Sequence, residues 1–305
     1  MNALLAAAYV WTQVIIPGKN PVQAFGINDK GQLAVTTDDG TNGIYDHGTY
    51  TPLPPPPASC GCGVSAVAVN DSGVVVGIAS PISGGAEMGF LLSGSTYTFF
   101  SWPGWDNTEP RGIGPASDDE AVEGNQGLVV GLAFSNDFSQ SAGFVYDPSS
   151  GVFTNVTPGS GVPSVVQGIN RFGRVAGNFV QRSPRKVFGL ISQPNAIDVF
   201  GATQVPFANH FQLDGAATRA RGINDFGVTT GFVETNSGTI ASFVGSDSRG
   251  YEMVFPPGGD VPGNSSLCAG INNLGQIACG VSDANLNTLG LFIGSPERHF
   301  EETAR

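Results

Sequence analysis

Several features that would point to a known chemistry are absent from this sequence. No apolar run approaches about 20 residues, so no transmembrane helix is expected. Charged residues make up only 12% of the chain, about half the usual share. Thirteen Lys and Arg stand against 25 Asp and Glu, a formal net charge of −12. That leaves no basic footprint for nucleic acid or for an anionic membrane surface. His47, His210 and His299 are the only histidines, too few for a His-rich metal centre. No Gly-x-Ser-x-Gly, Walker or dinucleotide-binding motif occurs in the context it needs. Sustained helical periodicity is missing throughout. The start, from Met1 through Ala8, resembles the tail of a signal peptide, with no basic residues before its short apolar run.

What is present is a repeated phrase. It reads Gly26-Ile27-Asn28-Asp29-Lys30-Gly31, then Ala68-Val69-Asn70-Asp71-Ser72-Gly73. It returns at Gly168–Gly173, Gly222–Gly227 and Gly270–Gly275, with a degenerate copy at Arg111-Gly112-Ile113 and Asn125-Gln126-Gly127. The closing glycines, at 31, 73, 127, 173, 227 and 275, are 42 to 54 residues apart. A period of that length marks a repeat architecture. Each unit holds four short branched or aromatic runs between Gly, Asn and Pro clusters, the pattern of strands. In the turn Asn-x-x-Gly, the Asn side chain bonds its own backbone and the Gly accepts a positive φ. The repeated Asn and Gly are therefore read as turn chemistry and not as six binding sites.

Four antiparallel strands repeated six times predict an all-β, six-bladed β-propeller of four-stranded blades. The chain is read as one domain, 1–305, with blades starting near 23, 65, 109, 165, 219 and 267 and a polar tail over 295–305. Residues 9–18 read as a fourth strand with its Pro-Gly, and the last unit stops after its third strand. The N-terminal strand is thus expected to complete the last blade and cover an exposed edge. A stacked solenoid is the alternative.

The phrase Gly-Ile-Asn-Asp-x-Gly, then Val-x-Gly, then a small residue before Phe, resembles the HAF-repeat family of predicted bacterial extracellular proteins. The resemblance covers almost the whole chain. The family's His-Ala-Phe is replaced here by Met88-Gly89-Phe90, Ala142-Gly143-Phe144 and Ala241-Ser242-Phe243. The resemblance implies an extracellular or cell-surface location and brings no activity.

The connections that vary most, 51–65, 101–109, 201–218 and 256–266, together with the loops around Asp38, Glu87, Asp137 and Lys186, belong to one face of a propeller. Insertions confined to one face mark the binding face. On it, Trp102-Pro103-Gly104-Trp105 offers two indoles suited to stacking on sugars or cations, or else packs into the fold. Arg111, Gln167 and Arg221 occupy one repeat position, where other units have Phe25, Val67 and Ala269. They could ring the channel and hold an anion, or be paired to acidic neighbours such as Glu109. His210, in the longest loop, could sit at the channel mouth. Asp118, Asp119, Glu120 and Glu123 form a carboxylate cluster that could bind calcium, without EF-hand spacing.

Cys268 and Cys279 flank the last turn symmetrically and should face each other across a hairpin. Cys60 and Cys62 are either bridged or reduced. A zinc site of all four cysteines is the rival, and an even count with an export-like composition favours disulfides. The function expected is a non-catalytic extracellular binding or scaffold module, with carbohydrate or another surface protein as partner and no cofactor besides calcium. A hydrolase or lyase at the channel mouth and a self-assembling surface protein are the alternatives. Acidic pairs such as Asp106 and Glu109 could do acid–base work.

Overall fold

The structure, a computed structural model, describes residues 8–114, 127–156, 162–182, 185–192, 203–204 and 215–297. The first repeat folds as β2 (Pro21–Ile27), β3 (Leu33–Thr37), β4 (Asn42–Asp46) and β5 (Thr49–Pro52), paired in that order. The second is β6 (Cys62–Val69), β7 (Val75–Pro81), β8 (Met88–Ser93) and β9 (Thr96–Phe100). The third is β10 (Asn107–Ile113), β11 (Val129–Phe134), β12 (Ser141–Asp147) and β13 (Val152–Val156). All their pairings are antiparallel.

The next two repeats do not separate. They comprise β14 (Ser164–Ile169), β15 (Val175–Arg182), β16 (Arg185–Ile191) and β17 (Thr203–Gln204), then β18 (Gly215–Ile223), β19 (Thr229–Thr235), β20 (Ile240–Ser246) and β21 (Gly250–Val254). All eight lie in one sheet. The last sheet contains β22 (Ser265–Ile271), β23 (Ile277–Ser282) and β24 (Thr288–Pro296), and β1 (Tyr9–Gln13) pairs antiparallel with β24 as its outermost strand.

The expected six separate four-stranded blades are thus corrected: four stand alone and the remaining two repeats share a sheet. The cause is the fourth strand of the fourth repeat. β17 is two residues long and covers β16 only at Leu190 and Ile191. Among the described residues its own repeat covers no more of that edge, and β18 joins it through a parallel contact at Val187 and Ala217.

Hydrogen bonds carry the ring from one repeat to the next. Asn28 Nδ2 donates to the Asn70 carbonyl, Thr108 N to Glu87 O, Gly143 N to Ser164 Oγ, Asn170 Nδ2 to Asn224 O, and Asn224 Nδ2 to Asn272 O. Asn272 Nδ2 then donates to Asn28 O at 2.9 Å and closes the circle. A closed ring of small antiparallel sheets around a channel is a β-propeller.

The repeated glycines and phenylalanines explain one another. Gly77, Gly131 and Gly231 pair across the sheet with Phe90, Phe144 and Phe243, three of the largest fully buried side chains. Each ring lies over the bare backbone of its glycine, where a Cβ would meet it at 2.6 to 2.9 Å. The first Gly of Gly-Ile-Asn serves closeness too: a Cβ on Gly168 would stand 2.7 Å from the Arg221 carbonyl, and one on Gly270 2.8 Å from Ile27 N. Apolar clusters fill the spaces between neighbouring sheets. One joins Val130 and Val145 to Val166 and Ile169, and another joins Ala34 to Ala66 and Phe90.

Both cysteine pairs are disulfides, Cys60–Cys62 and Cys268–Cys279, which sets aside the four-cysteine zinc site. Cys268 and Cys279 are directly opposed on β22 and β23 and buried, whereas Cys60 is half-buried at the end of a 3₁₀ turn, Ala58–Cys60. Exchange needs access to the sulfur. Under mild reductant, alkylation followed by mass spectrometry should label Cys60 and Cys62 first. Cys268 and Cys279 should react only once the protein unfolds, and loss of their bridge should cost about 3 kcal/mol.

Candidate functional site

Arg111, Gln167 and Arg221 occupy a special place in their strands. The register of each innermost strand slips there: between Pro110 and Gly112 in β10, Val166 and Gly168 in β14, and Ala220 and Gly222 in β18. Equivalent slips skip Val67, Ala269 and, in a wider irregularity, Phe25. A bulge leaves one residue unpaired and re-aims its side chain. Together the bulged segments line a cavity of about 70 Å³ in the channel that includes Phe25, Arg111, Gln167 and Arg221. The sequence position chosen as a polar cluster is therefore a ring of bulge residues.

The members are not equivalent. Arg111 is ion-paired with Glu109, and its Nε is buried without a partner. Arg219 faces Glu234 at 3.4 Å. Arg221 Nη1 donates to Gln167 Oε1 at 2.7 Å, and the guanidinium lies 5.8 Å from the Phe25 ring centre and 5.4 Å from that of Phe232. Burial, and then the positive charges of Arg111 and Arg219, lower the pKa of Arg221. A guanidinium stays charged near neutrality all the same.

Glu109 brings in a residue that sequence reasoning did not join to it. Its carboxyl is pushed up to about 7, first by burial and further by the neighbouring Glu87, against the opposing pull of Arg111. Glu87 is fixed by Ser80 Oγ at 2.9 Å and by its own N–H on Asn107 Oδ1. The folded protein holds this proton more tightly than the unfolded chain does. Stability should therefore fall as pH rises from about 4.5 to about 7 and flatten above that. Glu109→Gln should remove this slope, as read by denaturant melts across that range. The acidic partner of Glu109 is Glu87. Asp106 instead accepts from Asn136 N.

The tryptophans lie elsewhere. Trp102 stacks on Phe153 of β13, the outermost strand of its sheet, with centroids 5.6 Å apart and planes 3° from parallel, and it meets Phe144 edge-on. One of its faces is thus spent on packing. Trp105 leans on Trp102 at 5.7 Å and is half-buried. His210 and the carboxylate cluster Asp118, Asp119, Glu120 and Glu123 lie outside the described residues.

At the opposite mouth the Asn-x-x-Gly turns line a second small cavity with Asp29, Asp71 and Asp225. The carboxylates there are occupied as acceptors: Asp71 takes Asp29 N, Asp225 takes Arg171 N, and Asp29 takes Asn273 N. The Asp71 carboxyl is raised by burial and then by Asp29. No group of three metal-ligating side chains is placed to hold an ion among the described residues, and none of their helices is long and apolar enough to cross a membrane.

Neither a family model nor a curated protein matches the sequence. Solved structures do resemble it in fold. TolB from Acinetobacter baumannii is 11% identical with a TM-score of 0.49, over 90% of this chain and 64% of that one. The chain thus spans less than two thirds of TolB. The fungal lectin from Aleuria aurantia, described as a six-bladed β-propeller with a novel fucose recognition mode, is 10% identical with a TM-score of 0.48, over 93% and 97% of the two chains. The Hadza microbial sialidase Hz136 is 11% identical with a TM-score of 0.47, over 92% and 65%.

Proposed function

We propose that this protein is an extracellular, non-catalytic binding module that takes its ligand on the face of the variable loops, and that the ligand is a carbohydrate. The observation that carries this reading is the ring of bulge residues. A guanidinium pair, an amide and the Phe25 ring meet at one channel, and such groups suit hydroxyl-rich or acidic sugars. Trp105 adds an aromatic surface at the edge of the same face. Two disulfides favour an oxidising compartment, and the repeat phrases in register support the HAF-repeat resemblance. The test is a glycan array probed with wild type, Gln167→Ala and Trp105→Ala. Binding of a defined sugar class that Gln167→Ala weakens at least tenfold supports the reading. A wild type silent across the array, or a bound glycan indifferent to both substitutions, overturns the carbohydrate assignment.

One observation favours a second reading, a hydrolase at the channel. Glu109 keeps a proton near neutral pH beside Glu87 and Arg111, as a general acid would. Turnover of glycoside substrates abolished by Glu109→Gln would support it. Equal, background rates in both proteins would remove it.

A further inference from the structure

Five repeats close their second-to-third-strand loop with the same hydrogen bond: Gly40 N to Thr37 O, Gly84 N to Pro81 O, Phe138 N to Ser135 O, Gly238 N to Thr235 O, and Leu286 N to Asp283 O. The donor residue is left-handed in each, with φ of 80°, 80°, 55°, 85° and 66°. Three repeats use glycine, for which this backbone is free. Two place Phe138 and Leu286 there, at a steric cost, with side chains 77% and 81% exposed. Phe138 rests on Phe134 at 5.1 Å. Leu286 has another setting. It stands at the lip of a groove of about 420 Å³ lined by Val22, Ile240, Leu267 and Val281, whose inner end is formed by Phe25 and Arg221. That volume is ordinary for a small-molecule site.

Arg221 is the charge that sets the groove apart. Arg111, Arg171, Arg174 and Arg219 each face a carboxylate. Arg221 faces none among the described residues, and its Nε is sealed from solvent without a partner. A buried cation lacking an anion is costly, and the Gln167 oxygen returns only part of that. A carboxylate arriving from the groove would complete the pair, while its apolar body would cover the wall and meet Leu286.

We propose that this groove is a second ligand pocket, which shares Arg221 and Phe25 with the channel, for a small amphipathic carboxylate whose acid group pairs with Arg221 and whose apolar body lies under Leu286. The juxtaposition that carries it is an uncompensated arginine at the inner end of an apolar groove, with a strained, exposed leucine at the outer end. Strain kept at an exposed position points to use.

Calorimetric titration of the full chain with octanoate, 1-octanol and lactate tests this. Octanoate should bind at least tenfold more tightly than either, because octanol lacks the charge and lactate the apolar body. Arg221→Gln should reduce octanoate to the level of octanol. Leu286→Gly should weaken octanoate severalfold while leaving the unfolding midpoint unchanged or higher, which separates lost binding from lost folding. Trp105→Ala should leave octanoate binding unchanged, whatever it does to glycans. Equal binding of octanoate and octanol, no octanoate binding at millimolar concentration, or an Arg221→Gln variant that binds as wild type does would overturn the proposal. Unchanged binding or a lowered midpoint in Leu286→Gly would remove Leu286 from it.

Discussion

Gly231→Ala should cost about 3 kcal/mol or more, against roughly 1 kcal/mol for Gly73→Ala. Both residues look alike in the sequence, each a recurring glycine of the repeat, Gly73 closing the turn phrase and Gly231 in the strand after it. Gly73 sits at a turn with a φ of 76° and nothing within 4 Å of its missing Cβ, so alanine there pays only for backbone conformation. Gly231 is in β19, and a Cβ would drive into the Arg219 carbonyl oxygen and stand 2.9 Å from the Phe243 ring. Both obstacles are fixed, the carbonyl by the paired backbone of β18 and the ring by the core around it. Relief therefore requires the sheet to part. Urea melts of the two variants measure the difference directly. Equal costs would mean that the close approach of strand, bulge and ring is not what the glycine serves.

The second large effect is expected at Asn272. Its Oδ1 accepts Leu274 N and Gln276 N inside its own turn, at 3.1 and 2.9 Å. Its Nδ2 reaches the Asn28 carbonyl across the seam where the last repeat meets the first. Asn272→Ala should cost about 3 kcal/mol, because Leu274 N and Gln276 N lose their acceptor and the Asn28 carbonyl across the seam keeps only Gly31 N. Asn272→Asp separates the two duties. It keeps the turn acceptor but sets a negative carboxylate against the Asn28 carbonyl. If the ring bond matters, aspartate should destabilise as much as alanine does. If the turn alone mattered, aspartate would be tolerated.

That pair of variants also locates what the sequence could and could not tell. The repeat period, the strand character of each unit and the Asn-x-x-Gly turns follow from local rules that act within a few residues. The pairing of the N-terminal strand with β24 was legible because the chain begins with the strand type its last unit lacks. The ring role of Asn272 was not, because its partner is 244 residues away and only closure brings them together. Six separate blades failed as an expectation for a similar reason. The short β17 gave no local sign that β16 would offer its edge to the next repeat.

The candidate site was legible in one part. Aligning the repeats put Arg111, Gln167 and Arg221 at one position, and the bulges turn that position into the channel. For Trp102 the sequence left stacking and packing both open, since two indoles in a Pro-Gly loop carry no mark of the Phe153 ring that covers one of them. The pairing of Glu87 with Glu109 leaves no local signal, because the two belong to successive repeats. Leu286 had a signal that alignment of the loops would have raised: it stands where Gly40, Gly84 and Gly238 stand.

The claim at the centre is that ligand is bound by the bulge residues of the channel. It is tested most directly by a thermal-shift screen of sugars and small organic acids on wild type beside the Arg111→Ala/Gln167→Ala double variant, with circular dichroism to verify that the variant folds. At least one compound should raise the wild-type midpoint and leave that of the folded variant unmoved. If every compound that shifts wild type shifts the variant equally, or none shifts either, the ring is a structural feature of the hub and not a binding site.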